Sequence, residues 1–331
     1  MAENSKIECT THTFNPIWGC VKVSDGCKNC YASTFSKRVG QDIWGVDKPR
    51  RTFGEKHWNE PLKWNKDAAG AGERHRVFCA SMTDVFMDDP YMIEAHPRLW
   101  KLIEATPHLD WLLLTKRPEN ILKMIPEHWR AQLPFNVWVG TSVENQKAAN
   151  ERIPHLRQVP AVVRLLSCEP LLGEVDLSLY IGDYDCHACG YRGFDVGDEY
   201  ECPTCEERYS AENEGCPHCG EQSDENLTCP RCGSSEGGTG TFGKFNTNLY
   251  WEETDGIHWV IVGGESGAHA RPMQIEWAES LRSQCEEGGV KFFMKQLGGV
   301  RDKRHDLEQF PESLRVREFP TSDTLTAKAQ T

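Results

Sequence analysis

Cys20, Cys27 and Cys30 stand in a C-x6-C-x2-C pattern within N-P-I-W-G-C-V-K-V-S-D-G-C-K-N-C-Y, residues 15–31. Pro16, Gly19 and Gly26 mark this stretch as a loop. Structural zinc normally takes four protein ligands, and a [4Fe–4S] cluster held by protein alone takes four thiolates. Three thiols with no fourth cysteine nearby suit a metal centre that keeps one coordination position open for a small molecule. The plainer alternative is a zinc site completed from a distance by Cys9, His12 or Cys79.

Eight further cysteines form four C-x2-C knuckles: Cys186 with Cys189, Cys202 with Cys205, Cys216 with Cys219, and Cys229 with Cys232. Intervals of 12 residues within the first two knuckles and 9 within the last two suit zinc held by four thiolates, with two structural Zn2+ expected. Consecutive and crossed pairing both remain open. A segment with so few apolar residues draws its folding free energy from metal binding. The remaining cysteines of the 15, Cys9, Cys79, Cys168 and Cys285, are isolated and read as small buried hydrophobes.

The net charge of −13 is unevenly placed: residues 183–233 hold 13 Asp/Glu and 3 Lys/Arg, leaving the rest of the chain at −3. That acidity makes the zinc segment a structural or protein-contact module rather than a phosphate binder. The nearly neutral body does not announce a nucleic-acid binder and does not exclude an enzyme handling one nucleotide in a pocket. The longest apolar runs are strand-sized, and the N-terminus lacks the apolar core of a signal peptide. The expectation is a cytoplasmic protein with no membrane association.

These residues need a frame. Apolar, β-rich runs at Ile7–Thr13, Val77–Met82, Trp111–Thr115, Val137–Thr141, Val162–Ser167, Trp259–Gly263 and Lys291–Lys295 read as strands. They alternate with helical patterns at Tyr91–Thr106, Asn145–Leu156 and Ile275–Glu287, and with a helix start at Pro118. The fold class is α/β: a full or partial (β/α) barrel, with the doubly wound open sheet as rival. In either fold, chemistry gathers at the C-terminal ends of the strands, and polar residues follow nearly every strand. Residues 40–75, with Trp44, Trp58 and Trp64, are either a covering lid or amphipathic packing over the barrel. The expected divisions are 1–182 and 234–319 for the barrel, 183–233 for the insert and 320–331 for a disordered tail.

The triad loop and the segments S-M-T-D-V-F (81–86), L-L-L-T-K-R-P (112–118), V-W-V-G-T-S-V-E (137–144), S-C-E-P-L-L-G (167–173) and V-I-V-G-G-E-S-G-A-H-A-R-P-M (260–273) belong together. As a set they resemble a phage-encoded family of the radical SAM superfamily. The usual superfamily spacing is C-x3-C-x2-C; this chain keeps the last pair and lengthens the first interval. L-L-L-T-K-R is also distantly similar to the branch containing spore photoproduct lyase, which acts on thymine in DNA.

The resemblance implies a (β/α)6-type barrel and a [4Fe–4S] cluster on Cys20, Cys27 and Cys30 whose open iron chelates S-adenosylmethionine. Reduction by a flavodoxin- or ferredoxin-type donor then yields a 5′-deoxyadenosyl radical. It makes Lys116, Arg117 and Glu265 catalytic candidates, and Thr83, Asp84, Thr141, Ser142, Glu144, Glu169, Ser266 and Arg271 cofactor-binding candidates. The expected setting is hypermodification of phage DNA in the host cytoplasm, which evades host restriction. There an amino-acid-like substituent on a thymine-derived base would be isomerised. The alternatives are a nucleobase lyase or repair enzyme, and a non-enzymatic zinc-binding interaction protein. Oligomeric state is not legible in the sequence.

Overall fold

Strand residues alternate between two environments along the sheet, as a period of two requires. Trp111 and Leu113 are buried in the largest apolar cluster among the described residues, while Leu112 between them belongs to a second one. Both faces of the sheet are therefore covered, which explains why the strands read as continuous apolar runs.

The computed structural model describes Ser5, residues 7–181, 256–301 and 303–320, and four short strand segments between 184 and 210. Seven strands form one sheet: β1 (His12–Thr13), β2 (His75–Cys79), β3 (Leu109–Thr115), β4 (Val137–Ser142), β5 (Val163–Cys168), β6 (Trp259–Gly263) and β7 (Lys291–Gln296). Every neighbouring pair is parallel, and spatial order equals sequence order. Right-handed crossovers that never reverse direction place all their helices on one face. The doubly wound alternative needs a reversal of strand order, and none occurs among these strands. The architecture is an α/β partial barrel, open between β1 and β7.

Helices α1 (Tyr31–Arg38), α2 (Glu55–Trp58), α3 (Glu60–Ala71), α4 (Pro90–Glu104), α5 (Ile121–Met124), α6 (Gln146–Arg157) and α7 (Ile275–Glu287) supply the connections. The Asp89 side chain accepts from the Tyr91 amide to start α4, and Asn145 accepts from the Ala148 amide to start α6. Trp58, Trp64, Leu99, Ile103, Ile153 and Leu281 bury against the outer face. The stretch 40–75 is therefore mainly packing: it carries α2 and α3, although residues 43–53 run beside the cysteine loop.

The first strand is shorter than the apolar run Ile7–Thr13. A turn from Ile7 to Thr10 and the Ser5 amide bond to the Thr11 carbonyl turn the chain ahead of Thr11, whose amide meets the Arg76 carbonyl, and the strand register with β2 covers His12 and Thr13. The C-terminal segment lies along β7, with the Met294 amide on the Val316 carbonyl and the Glu318 amide on the Phe292 carbonyl, each 2.9 Å. It carries Phe319 against Trp259 and Phe293, and the Arg76 guanidinium covers Phe319 at 4.0 Å. Glu8 Oε1 and His305 Nδ1 meet at 2.9 Å between the two terminal segments. Aromatic packing thus fills the concave face where β6 begins.

Cys9, Cys79, Cys168 and Cys285 are all buried, as expected of small hydrophobes. The zinc ligands expected from the sequence, Cys186, Cys189, Cys202, Cys205, Cys216, Cys219, Cys229 and Cys232, all lie outside the described residues, as does the tail beyond Pro320. No helix among the described residues is long and apolar enough to cross a membrane.

Candidate functional site

The chain leaves β1 into a loop fixed by Asn15. Its Oδ1 accepts from the Met82 amide at 2.7 Å and its Nδ2 donates to Ser81 Oγ at 3.1 Å, tying together the exits of β1 and β2. Gly19 follows with φ +117, and a Cβ there would fall 2.5 Å from the Ile43 carbonyl oxygen, so only glycine suits the turn. The Gly19 carbonyl accepts from Thr83 Oγ1 at 2.8 Å. Beyond this point the three cysteines span a 3-10 turn, Asp25–Cys27, and end at Cys30, the N-cap of α1.

Three carboxylates hold this loop over the C-terminal ends of the strands. Asp84, after β2, accepts from Thr115 Oγ1 at 2.6 Å, the Lys116 amide at 3.0 Å and Arg117 Nη1 at 2.8 Å. Arg117 in turn donates to the Val21 carbonyl at 2.9 Å. Glu144, after β4, is 1% exposed; it accepts from Arg152 Nη1 at 2.6 Å and, on its other oxygen, from Ser24 Oγ in the cysteine loop. Glu265, after β6, accepts from Arg271 Nη2 at 2.7 Å and from Asn29 Nδ2 at 3.0 Å. Arg271 also reaches the Asp25 carbonyl at 3.0 Å, and Asn29 the His269 carbonyl at 2.7 Å.

The charges are set by these contacts. Burial pushes the Glu144 carboxyl up, but Lys116 and Arg152 outweigh it and hold the group below its ordinary value. Glu265 is likewise opposed by burial, yet hydrogen bonds from Arg271 and Asn29 bring it down to about 2. Lys116 differs. Its Nζ is buried without a hydrogen-bond partner among the described residues and stands 3.5 Å from Glu144 Oε1. An ammonium in that position is short of one acceptor, which an anionic ligand group could supply.

All three triad cysteines are free and half-buried. Burial, with Asp84 adding to it, pushes the Cys20 thiol up to about 12, and burial also raises Cys30. Such thiols keep their protons until a metal takes the proton's place. Among the described residues no three His, Cys, Asp or Glu side chains converge on one ion position, the triad included. The proposed distant zinc ligands are engaged elsewhere: His12 stacks on Trp64 at 4.4 Å, and Cys79 lies in the outer core. Cys9 belongs to the inner cluster. One zinc needs its thiolates about 2.3 Å from a single point, whereas a four-iron cluster takes each thiolate on a separate iron.

Of the other candidates, Thr83, Asp84, Lys116, Arg117, Glu144, Glu265 and Arg271 converge on the cysteine loop. Thr141 does not. It shares strand parity with Val137 and Val139, is fully buried, and donates its hydroxyl to the Thr115 carbonyl at 3.0 Å, so it is unsuited to holding a ligand. Ser142 is 3% exposed and its carbonyl accepts from Arg152. Ser266 bridges to Gly299. Glu169 pairs with Lys295 at 3.0 Å on the concave face, beside Ser167. Ser24, Asn29 and Arg152 were not legible as site residues. Only the place of Ser24 and Asn29 inside the triad loop could have flagged them.

A half-barrel with a three-cysteine loop lashed across its mouth is the class that fold and site define. The chain matches, over residues 4–325, the family described as Protein of unknown function (DUF5131), and it belongs to that family. No curated protein sequence matches it significantly. Among solved structures it is similar to a spore photoproduct lyase variant with bound AdoMet and dinucleoside spore photoproduct, at 15% identity and a TM-score of 0.37. That match covers 50% of this chain and 47% of that one. A spore photoproduct lyase complexed with dinucleoside spore photoproduct gives 15% identity and a TM-score of 0.36, with 51% and 48% covered. The chain thus spans about half the length of the structures it matches.

Proposed function

We propose that this protein is a radical SAM enzyme. The observation that carries the reading is the mooring of three free cysteines, by Asp84, Glu144 and Glu265, over the strand ends of a sequential parallel half-barrel. Cys20, Cys27 and Cys30 would hold three irons of a [4Fe–4S] cluster and leave the fourth for S-adenosylmethionine. When bound, this pair of cofactors supplies, on one-electron reduction, a 5′-deoxyadenosyl radical able to abstract hydrogen from an unactivated carbon. Lys116 would meet an anionic group of the ligand. Arg117 and Arg271, held by Asp84 and Glu265, would keep the loop in register. The apolar concave face would exclude water from the reacting centre.

The fuller reading places the enzyme in base hypermodification of phage DNA, isomerising an amino-acid-like substituent on a thymine-derived base. It rests on the sequence resemblance. Cys186, Cys189, Cys202, Cys205, Cys216, Cys219, Cys229 and Cys232 would form a separate zinc module, as the insert between two barrel halves.

Metal analysis after anaerobic reconstitution tests the first claim: about four irons with sulfide per chain favour the enzyme, and zinc alone favours an interaction scaffold. Cys27→Ala should abolish iron and leave the insert's zinc. Incubation with SAM, dithionite and phage-modified DNA tests the second. If 5′-deoxyadenosine accumulates while the nucleosides stay unchanged, the DNA substrate is wrong and the radical chemistry stands. Base release instead of rearrangement would assign a lyase.

A further inference from the structure

The concave face changes character toward the C-terminal ends of β5 and β7. Leu165, Ile261 and Phe293 belong to its apolar cluster. Two positions further along β5 and β7, on the same side by strand parity, come Ser167 and Lys295. Glu169 joins them from the loop after β5, where Lys295 Nζ donates to its Oε2 at 3.0 Å and stands 3.0 Å from its Oε1. Ser167 Oγ donates to the same Oε2 at 3.4 Å. Gly263 leaves room for this carboxylate, since a Cβ there would fall 2.5 Å from Glu169 Oε1. The pair shares one pocket with Phe78, Leu112, Leu114 and Ile261.

Stability alone does not explain such a pair. Two charges drawn into an apolar pocket regain little, and well-packed apolar residues of the same volume often serve the fold as well or better. Burial opposes the Lys295 charge, and Glu169 outweighs it, holding the ammonium above its ordinary value. The two side chains stay 20% and 18% exposed, so a ligand can reach both charges. Lys295 donates to Glu169 alone among the described residues, although an ammonium has three N–H groups. The pair also stands close to the end of the cysteine loop. Tyr31, the residue after Cys30, donates its hydroxyl to the Ser81 carbonyl at 3.0 Å, within the field of Lys295 and Glu169.

One cation beside one carboxylate is the complement of the ammonium and carboxylate of an amino acid. A zwitterion entering between them exchanges one ion pair for two and leaves no charge unpaired. A ligand with a single charge would strand either Lys295 or Glu169. We infer that Glu169 and Lys295 are the recognition pair for the amino-acid substituent of the substrate. Glu169 takes its ammonium, Lys295 takes its carboxylate, and Leu114 and Ile261 line the wall for its uncharged part. The inference rests on the amino-acid-like substituent proposed above, but not on the radical chemistry, and binding tests it separately.

The probe is 2′-deoxyuridine carrying glycine, through its nitrogen, on a methylene at the 5-position. Its methyl ester and thymidine are the comparisons, and calorimetry on the full chain reads each affinity. The parent protein should prefer the free acid over the ester by at least about tenfold, the worth of one charge-assisted contact, and should bind thymidine more weakly still. Glu169→Gln/Lys295→Met, which strands no charge, should abolish the preference, and its melting temperature shows whether it is folded. Lys295→Gln gives the same reading if the double variant does not fold. Equal affinity of the parent for acid and ester, or no binding of the acid, overturns the recognition pair. A preference that survives in the variants overturns it as well. Thymidine bound as tightly as the acid, and lost in the double variant, also overturns it and assigns the pair to the base. Iron content and 5′-deoxyadenosine are read separately, so a protein that cleaves SAM without the preference keeps the chemistry and loses the pair. If phage-modified DNA stays unchanged while the preference holds, the DNA setting fails and the zwitterion site stands.

Discussion

A Cβ added to Gly26 would lie 2.6 Å from Oε1 of Glu144 and 3.0 Å from its Cδ. The cysteine loop therefore touches the end of β4 backbone against carboxylate, just before Cys27. Ser24 bonds the same carboxylate from the same loop. Glu144 acts as a seat for the loop, and its fit depends on the missing side chain at position 26.

Gly26→Ala should consequently displace the loop or the carboxylate. Overpacking of this kind costs about 1–3 kcal/mol. A lowered urea midpoint together with reduced iron uptake after reconstitution is expected. Full iron uptake at unchanged stability would show that the seat is dispensable.

Lys116 and Arg152 together let Glu144 stay ionised while 1% exposed, and Arg152 is the nearer of the two. Arg152→Met leaves a buried carboxylate short of its nearest cation, a loss of about 3 kcal/mol or more. The double variant Glu144→Gln/Arg152→Met should recover part of it, because no carboxylate is then left short of a cation. Denaturation of the three proteins measures the coupling.

Lys116 acts on both the seat and the ligand. Its Nζ has no hydrogen-bond partner among the described residues, but its charge is the foremost of those that hold the buried Glu144 carboxyl down. Lys116→Met should therefore lower stability in the same direction as Arg152→Met, by about 1–3 kcal/mol. It should also weaken ligand binding, with SAM affinity of the reconstituted protein reduced roughly tenfold, the loss of about one charge-assisted contact. Equal SAM affinity in both proteins would remove Lys116 from the site.

The Glu265 latch sets an acid limit. Its carboxyl is held at about 2 against an ordinary 4.5, so its folded-state value is depressed. The stabilisation is fully present above the ordinary value and is lost as pH falls from about 4.5 through 2. It amounts to something on the order of 1–3 kcal/mol. Glu265→Gln should be less stable than the parent at neutral pH, and the gap should close by about pH 2. A constant gap would mean that Arg271 and Asn29 do not recognise the charge.

The strands β4 to β7 were legible to within a residue because their apolar runs are buried on both faces and end where the polar loop begins. By contrast, β3 starts two residues earlier than expected, at Leu109, and β2 runs from the polar His75 to Cys79 rather than from Val77 to Met82. β1 misled because Ile7 and Cys9 are apolar for another reason: they line the concave face from a folded-back segment. The carboxylates of the site were visible as polar residues after strands, but their partners were not. Ser24 meets Glu144 across 120 positions and Asn29 meets Glu265 across 236, and no local pattern encodes such contacts. Thr141 could have been excluded in advance, since alternation along β4 assigns it to the helix-covered face with Val139. Strand parity separates residues that end near a site from residues that face it.

What the three loop cysteines hold decides the function. The most direct test is SAM cleavage by anaerobically reconstituted, dithionite-reduced protein, with Cys27→Ala alongside. Formation of 5′-deoxyadenosine by the parent protein and its absence in the variant is the predicted result. A reconstituted protein that binds zinc but no iron and leaves SAM intact would contradict it.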